Sequence, residues 1–132
     1  MTDEELKKEI RKAKRFNYTV FTILIIGILL CTVWGIRYKY QHTFSTSKWI
    51  ENPHERVNIV DDMLSKNDLI GKTKQEIIAL LGEESGKKIS SAKENSFAYY
   101  LGDERRLISI DSEWLIITFA DGFVSDYEIT TD

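Results

Sequence analysis

The sequence predicts an α+β fold: an N-terminal transmembrane helix, then two helices packed on a three-stranded antiparallel sheet. Three observations carry that prediction. Phe16 to Ile36 is a 21-residue run without a charge. Two helix-start signals follow, at Asn52 and Thr73. Beyond Gly82 the pattern turns to short β-like runs that end in a hairpin signal at Asp121-Gly122. Of the 132 residues, about 80 remain for a domain once a span is set aside, enough for one modest core and too few for a deep internal active site.

The apolar run, FNYTVFTILIIGILLCTVWGI, would reach about 31 Å as a helix, the thickness of a bilayer core. A soluble helix of this composition would need burial on every side, which so small a remainder cannot provide. Residues 1–15 form a basic stub with Lys7, Lys8, Arg11, Lys12, Lys14 and Arg15 against four acidic groups, +2 in all, whereas the chain from Arg37 onward carries −5. The positive-inside rule therefore places the N-terminus in the cytoplasm and the C-terminal domain outside it, as a single-pass protein of the cell membrane. Trp34, Tyr38 and Tyr40 fall at the outer interface. A secretory signal also begins with basic and then apolar residues, but this run is longer than such signals use and lacks a small-x-small cleavage site. Ile28, Leu29 and Leu30 ahead of Cys31 disfavour a lipoprotein signal.

Within the stub, Leu6, Ile10 and Ala13 recur at helical spacing, consistent either with an interfacial helix running into the span or with a solvated topology signal. Residues 37–51 show no sustained period and read as a tether. The domain is expected over 52–132. Asn52, Pro53 and Glu55 resemble a capping box, and Val57, Val60, Met63 and Leu64 give a stripe about three turns long ending near Asn67. Thr73 to Glu76 is a second capping box, Ile77, Leu80 and Leu81 form its buried face, and Gly82 stops it. Phe97 to Leu101 reads as a strand. Glu113 to Phe119, apolar on both faces after Glu113 apart from Thr118, reads as a central strand covered on both sides. After the turn, Phe123, Ser125, Tyr127 and Ile129 alternate with Val124, Asp126, Glu128 and Thr130.

An acidic folded part argues against nucleic acid, whose binding needs clustered Lys and Arg. The single cysteine, Cys31, lies in the span, so the domain has no internal disulfide. Gly82 to Lys88 superficially resembles a phosphate loop, yet its spacing is one residue short, Lys88 replaces the magnesium-binding hydroxyl and two carboxylates repel phosphate. His42 and His54 have no partners at metal-ligand spacing, and Asp61 and Asp62 splay apart on a helix. No catalytic, cofactor or metal residues are expected, and the chain does not read as an enzyme.

The stretch Gly71-Lys72-Thr73-Lys74-Gln75-Glu76-Ile77-Ile78-Ala79-Leu80-Leu81-Gly82-Glu83 resembles the helix-two signature of the SmpA/OmlA (BamE-like) family of small envelope proteins, whose fold is shared with β-lactamase inhibitory proteins. Asp121-Gly122 before an alternating last strand is similar to the end of that domain. The resemblance covers about Asn52 to Asp132 and implies the fold and a habit of binding proteins at envelope surfaces. A spanning helix stands where the family has a lipoprotein cysteine, so the chain resembles a membrane-tethered branch.

Two surfaces invite contact. Residues 102–113 form a loop too long for a simple hairpin. Either Leu107 or Ile110 folds back as a lid over the core, or Leu107, Ile108 and Ile110 are anchors rimmed by Arg105 and Arg106 in a protein-contact loop. In the span, Gly27, Cys31 and Gly35 stand at i, i+4 and i+8, a small-residue stripe of the kind that lets helices dimerise. Two function classes follow: a membrane-anchored extracytoplasmic module binding an envelope or extracellular protein, or a structural subunit of a membrane complex acting mainly through its transmembrane helix.

Overall fold

The computed structural model describes residues 1–86 and 94–132. The chain divides into two compact units, Met1–Tyr40 and Gln41–Asp132. Nearly all of the first is one helix, α1 (Asp3–Gln41), which takes in the stub and the apolar run without a break and buries no residue. Thr2 and Glu5 cap its start reciprocally: the Thr2 N–H donates to Glu5 Oε2 at 2.8 Å and the Glu5 N–H to Thr2 Oγ1 at 3.4 Å. Each bond occupies a group that the first turn leaves open. Along the apolar part, the Thr19, Thr22 and Thr32 hydroxyls donate to the carbonyls of Arg15, Tyr18 and Leu29. These three hydroxyls are thereby satisfied without water, as a lipid environment favours. α1 is long and apolar enough to cross a membrane.

The second unit holds α2 (Thr46–Glu51), a 3-10 turn (Pro53–Asn58), α3 (Val60–Lys66), α4 (Lys74–Leu81) and three strands, β1 (Ser96–Asp103), β2 (Ser112–Ala120) and β3 (Phe123–Thr131). The strands pair antiparallel in the order β1-β2-β3, with β2 central. Tyr99, Leu101, Leu115, Ile117, Phe119 and Val124 form the sheet side of the main core, and Trp49, Ile59, Val60, Met63, Leu69, Ile77 and Leu81 cover it. On the other face Ala98, Trp114 and Ile116 make a smaller buried group with Tyr100 against it. That accounts for a β2 apolar on both faces.

α4 follows the sequence reading. Thr73 Oγ1 accepts from the Glu76 N–H at 3.2 Å, Glu76 Oε2 accepts from the Thr73 N–H at 2.7 Å, and Gly82 ends the helix at φ +75°. Of the face expected to be buried, Ile77 and Leu81 are, whereas Leu80 is only half-buried.

Four expectations are corrected. The tether predicted over 37–51 is partly structured: α1 runs to Gln41, Ser45 caps α2, and Trp49 is buried in the core. The single three-turn helix from Asn52 is instead a 3-10 turn and α3, separated at Ile59. Asn52 makes no side-chain cap there, and its backbone N–H closes α2 on the Lys48 carbonyl. The simple alternation in β3 fails because Ser125 is an extra residue between the pairs Thr118↔Asp126 and Phe119↔Val124. This bulge turns Val124 to the same core as Tyr127 and Ile129. Finally, the strands extend past Leu101 and begin before Glu113, so the connection expected over 102–113 is only 104–111.

Gly102 lies at a second bulge, with φ +131°, and a Cβ there would overlap the His54 carbonyl oxygen. The 3-10 turn can approach β1 this closely only over a residue without a side chain. Arg56, on that turn, is buried: its Nε donates to the Trp49 carbonyl at 2.6 Å, its Nη1 to the Tyr100 carbonyl at 3.1 Å, and its guanidinium lies 5.1 Å from the Trp49 ring centre. Burial lowers its pKa from the ordinary arginine value, opposed by the nearby Tyr99.

Candidate functional site

The 104–111 connection has a clamped base and an exposed tip. At the base, the Glu104 N–H donates to the Asp111 carbonyl at 3.0 Å, which closes the loop on itself. Glu113, nearly buried on β2, accepts the Arg105 backbone N–H at 3.0 Å and its Nε at 3.1 and 3.2 Å. Arg105 Nη1 reaches Asp61 on α3 at 2.7 Å. Partial burial opposes the Arg105 charge, but Glu113 and then Asp61 outweigh it and raise its pKa. Arg106 Nε pairs with Glu104, itself nearly buried, at 2.8 Å. A guanidinium shared between two carboxylates is a planar clamp that a lysine would not reproduce.

The tip is apolar and in solvent. Leu107, Ile108 and Ile110 are 107%, 76% and 84% exposed. The lid alternative, in which Leu107 or Ile110 folds over the core, is therefore not what the chain adopts: α2 to α4 already cover the main-core face of the sheet, and Arg105 ties the loop base to Asp61 on α3 and Glu113 on β2. The arginines are not a free rim around the anchors. They position the loop. An open groove runs beside it, lined by Glu104, Arg105, Arg106, Glu113, Ile129, Thr130 and Thr131.

Gly27, Cys31 and Gly35 lie on α1 at the spacing read from the sequence. Cys31 is exposed, and a Cβ at either glycine would meet nothing within 4 Å. His54 packs edge-on against Tyr100, 5.2 Å between ring centres, with Nδ1 3.3 Å from the Tyr100 hydroxyl. Asp61 and Asp62 diverge as their adjacency requires, Asp61 to Arg105 and Asp62 to Phe44 and Lys66. Lys87 and Lys88 of the phosphate-loop-like stretch lie outside the described residues. Its Glu84 and Ser85 lie along β1: the Ser85 N–H donates to the Ala98 carbonyl at 2.9 Å, Glu84 Oε2 accepts the Ala98 N–H at 3.2 Å, and Ser85 Oγ accepts the Tyr100 N–H at 2.9 Å. Among the described residues no three His, Cys, Asp or Glu side chains gather as metal ligands would.

The sequence reading missed Glu104, Asp61 and Glu113 as loop-holding groups. Only tertiary contact brings them to the arginines, and a lone carboxylate in sequence carries no sign of its partner. Comparison with known protein families, with characterised proteins and with solved structures finds no match.

Proposed function

We propose that this chain is a membrane-anchored, extracytoplasmic protein-binding module, its N-terminus cytoplasmic, that contacts its partner through the tip of the 104–111 loop. The observation carrying this reading is the exposure of Leu107, Ile108 and Ile110 on a base fixed by the Arg105 pairs with Glu113 and Asp61 and the Arg106 pair with Glu104. Large apolar side chains in water on a preordered loop lose little entropy on docking, and their burial supplies the driving force. The basic residues ahead of α1 support the orientation. The signature around α4, with its reciprocal cap and terminal Gly82, supports assignment to an SmpA/OmlA-like domain, a fold used at envelope surfaces to bind proteins.

A photo-crosslinking amino acid at position 108 of the full chain, in intact cells, tests the reading. A discrete protein adduct at 108 that is absent with the crosslinker at Asp121 is expected. No adduct, or the same adducts from both positions, overturns the contact site. Ile108→Cys in a Cys31→Ser background should react with an impermeant maleimide before lysis, and reaction only after lysis reverses the orientation.

A further inference from the structure

The two edges of the sheet are treated differently. Glu84 and Ser85 lie along β1 and occupy its outer backbone groups at Ala98 and Tyr100. On the outer side of β3 only the beginning is met: the Gly71 N–H donates to the Val124 carbonyl at 2.9 Å, the Val124 N–H to the Lys72 carbonyl at 2.8 Å, and Thr73 bridges Phe123. From Asp126 to Thr131 no backbone group of another described segment pairs with that side. The strand's own side chains fill in, the Tyr127 N–H donating to Asp126 Oδ1 at 2.9 Å and Thr130 Oγ1 reaching the Thr131 carbonyl at 3.5 Å. Such local contacts are readily exchanged for a ladder.

We infer that the free edge of β3, residues 126–131, takes an added strand from a partner protein, and that this strand alternates basic and apolar residues. The alternation follows from the two faces of β3. Tyr127 and Ile129 are half-buried against the main core, so an incoming strand would extend that core with apolar side chains. Asp126 and Glu128 are exposed on the other face, where directly opposed charges of unlike sign stabilise cross-strand pairs and like charges destabilise them. A second copy of β3 would set these carboxylates against their counterparts, so the same charges that attract a basic strand disfavour self-pairing. Strand addition draws affinity from the main chain and specificity from alternate side chains. The inference shares with the proposed function that the domain binds a protein, and it uses the strand edge rather than the loop tip, although the groove beside the loop joins the loop base to residues 129–131.

The test adds the peptides Lys-Val-Lys-Val-Lys and Glu-Val-Glu-Val-Glu separately to the full chain in phosphatidylcholine nanodiscs and follows amide hydrogen exchange. Exchange at residues 126–131 should slow about tenfold or more with the basic peptide at saturation and stay unchanged with the acidic one. Glu128→Lys, an exposed change, should weaken the first effect and Asp126→Lys added to it should reverse the preference. Ile108→Asp should leave the protection intact, so failure at the loop and failure at β3 are separable. Equal protection by both peptides, by neither, or protection that grows with protein concentration alone overturns the inference.

Discussion

Asp62 Oδ2 accepts the backbone N–H of Phe44 at 2.6 Å and the Lys66 ammonium at 2.7 Å, so one carboxylate on α3 holds the segment that enters the domain. The Phe44 ring in turn meets Trp49 edge-on at 6.0 Å. Lys66 first, and then the Phe44 N–H, hold the Asp62 carboxyl below its ordinary pKa. Glu76 is held below its own by the Thr73 N–H and hydroxyl.

These two shifts set the sign of an acid response. The folded contacts favour the ionised carboxylates, so their stabilisation is complete above the unfolded pKa values of about 4 and drains away as pH falls through the lower folded values. The melting temperature of the full chain in micelles should therefore fall on acidification below about pH 4. Asp62→Ala and Glu76→Ala should each lower the neutral-pH melting temperature and flatten the acid slope. An unchanged slope in both variants would remove these contacts from the account.

Truncations along α4 should rank by burial. Ile77→Ala, in the core, should cost about 2–5 kcal/mol, and Leu80→Ala, half-buried, clearly less. Thr73→Ala, which removes the cap, should cost about 1 kcal/mol. Urea titration with a common slope reads all three, and equal costs for Ile77 and Leu80 would contradict the packing.

Gly102→Ala should be among the most damaging small changes. It adds a Cβ against the His54 carbonyl and disfavours the required φ of +131°. A loss of at least about 2 kcal/mol is expected. Gly86→Ala, at the milder left-handed φ of +66° and with an added Cβ that meets nothing, is the comparison and should cost clearly less.

The loop tip should separate stability from contact. Leu107→Ser, Ile108→Ser and Ile110→Ser remove exposed groups and should each change stability by less than about 0.5 kcal/mol while reducing crosslinking to a partner. Arg105→Ala should speed proteolysis within 104–111 with the core intact. Faster proteolysis throughout the domain would mean that Arg105 supports the whole fold.

Much of this architecture is legible in residue order because its signals are local. Thr73 and Glu76 are three apart, Gly82 follows directly on the last helical turn, and the apolar run of β2 is flanked by turn residues. The Thr2–Glu5 cap has the same local form. What escapes is set by contacts between distant segments. Six residues around Trp49 are too short to show a period, and their helix is fixed by burial of the indole. Ser125 looks like one more alternating residue until β2 pairs across it. The exposure of Leu107 depends on whether α2 to α4 already fill the sheet, which no window along the chain reports.

Asp61 and Asp62 are consecutive, yet one grips Arg105 of the loop and the other the main chain at Phe44. The entry of the chain into the domain and the base of the 104–111 loop are thereby fastened to the same turn of one short helix by neighbouring side chains.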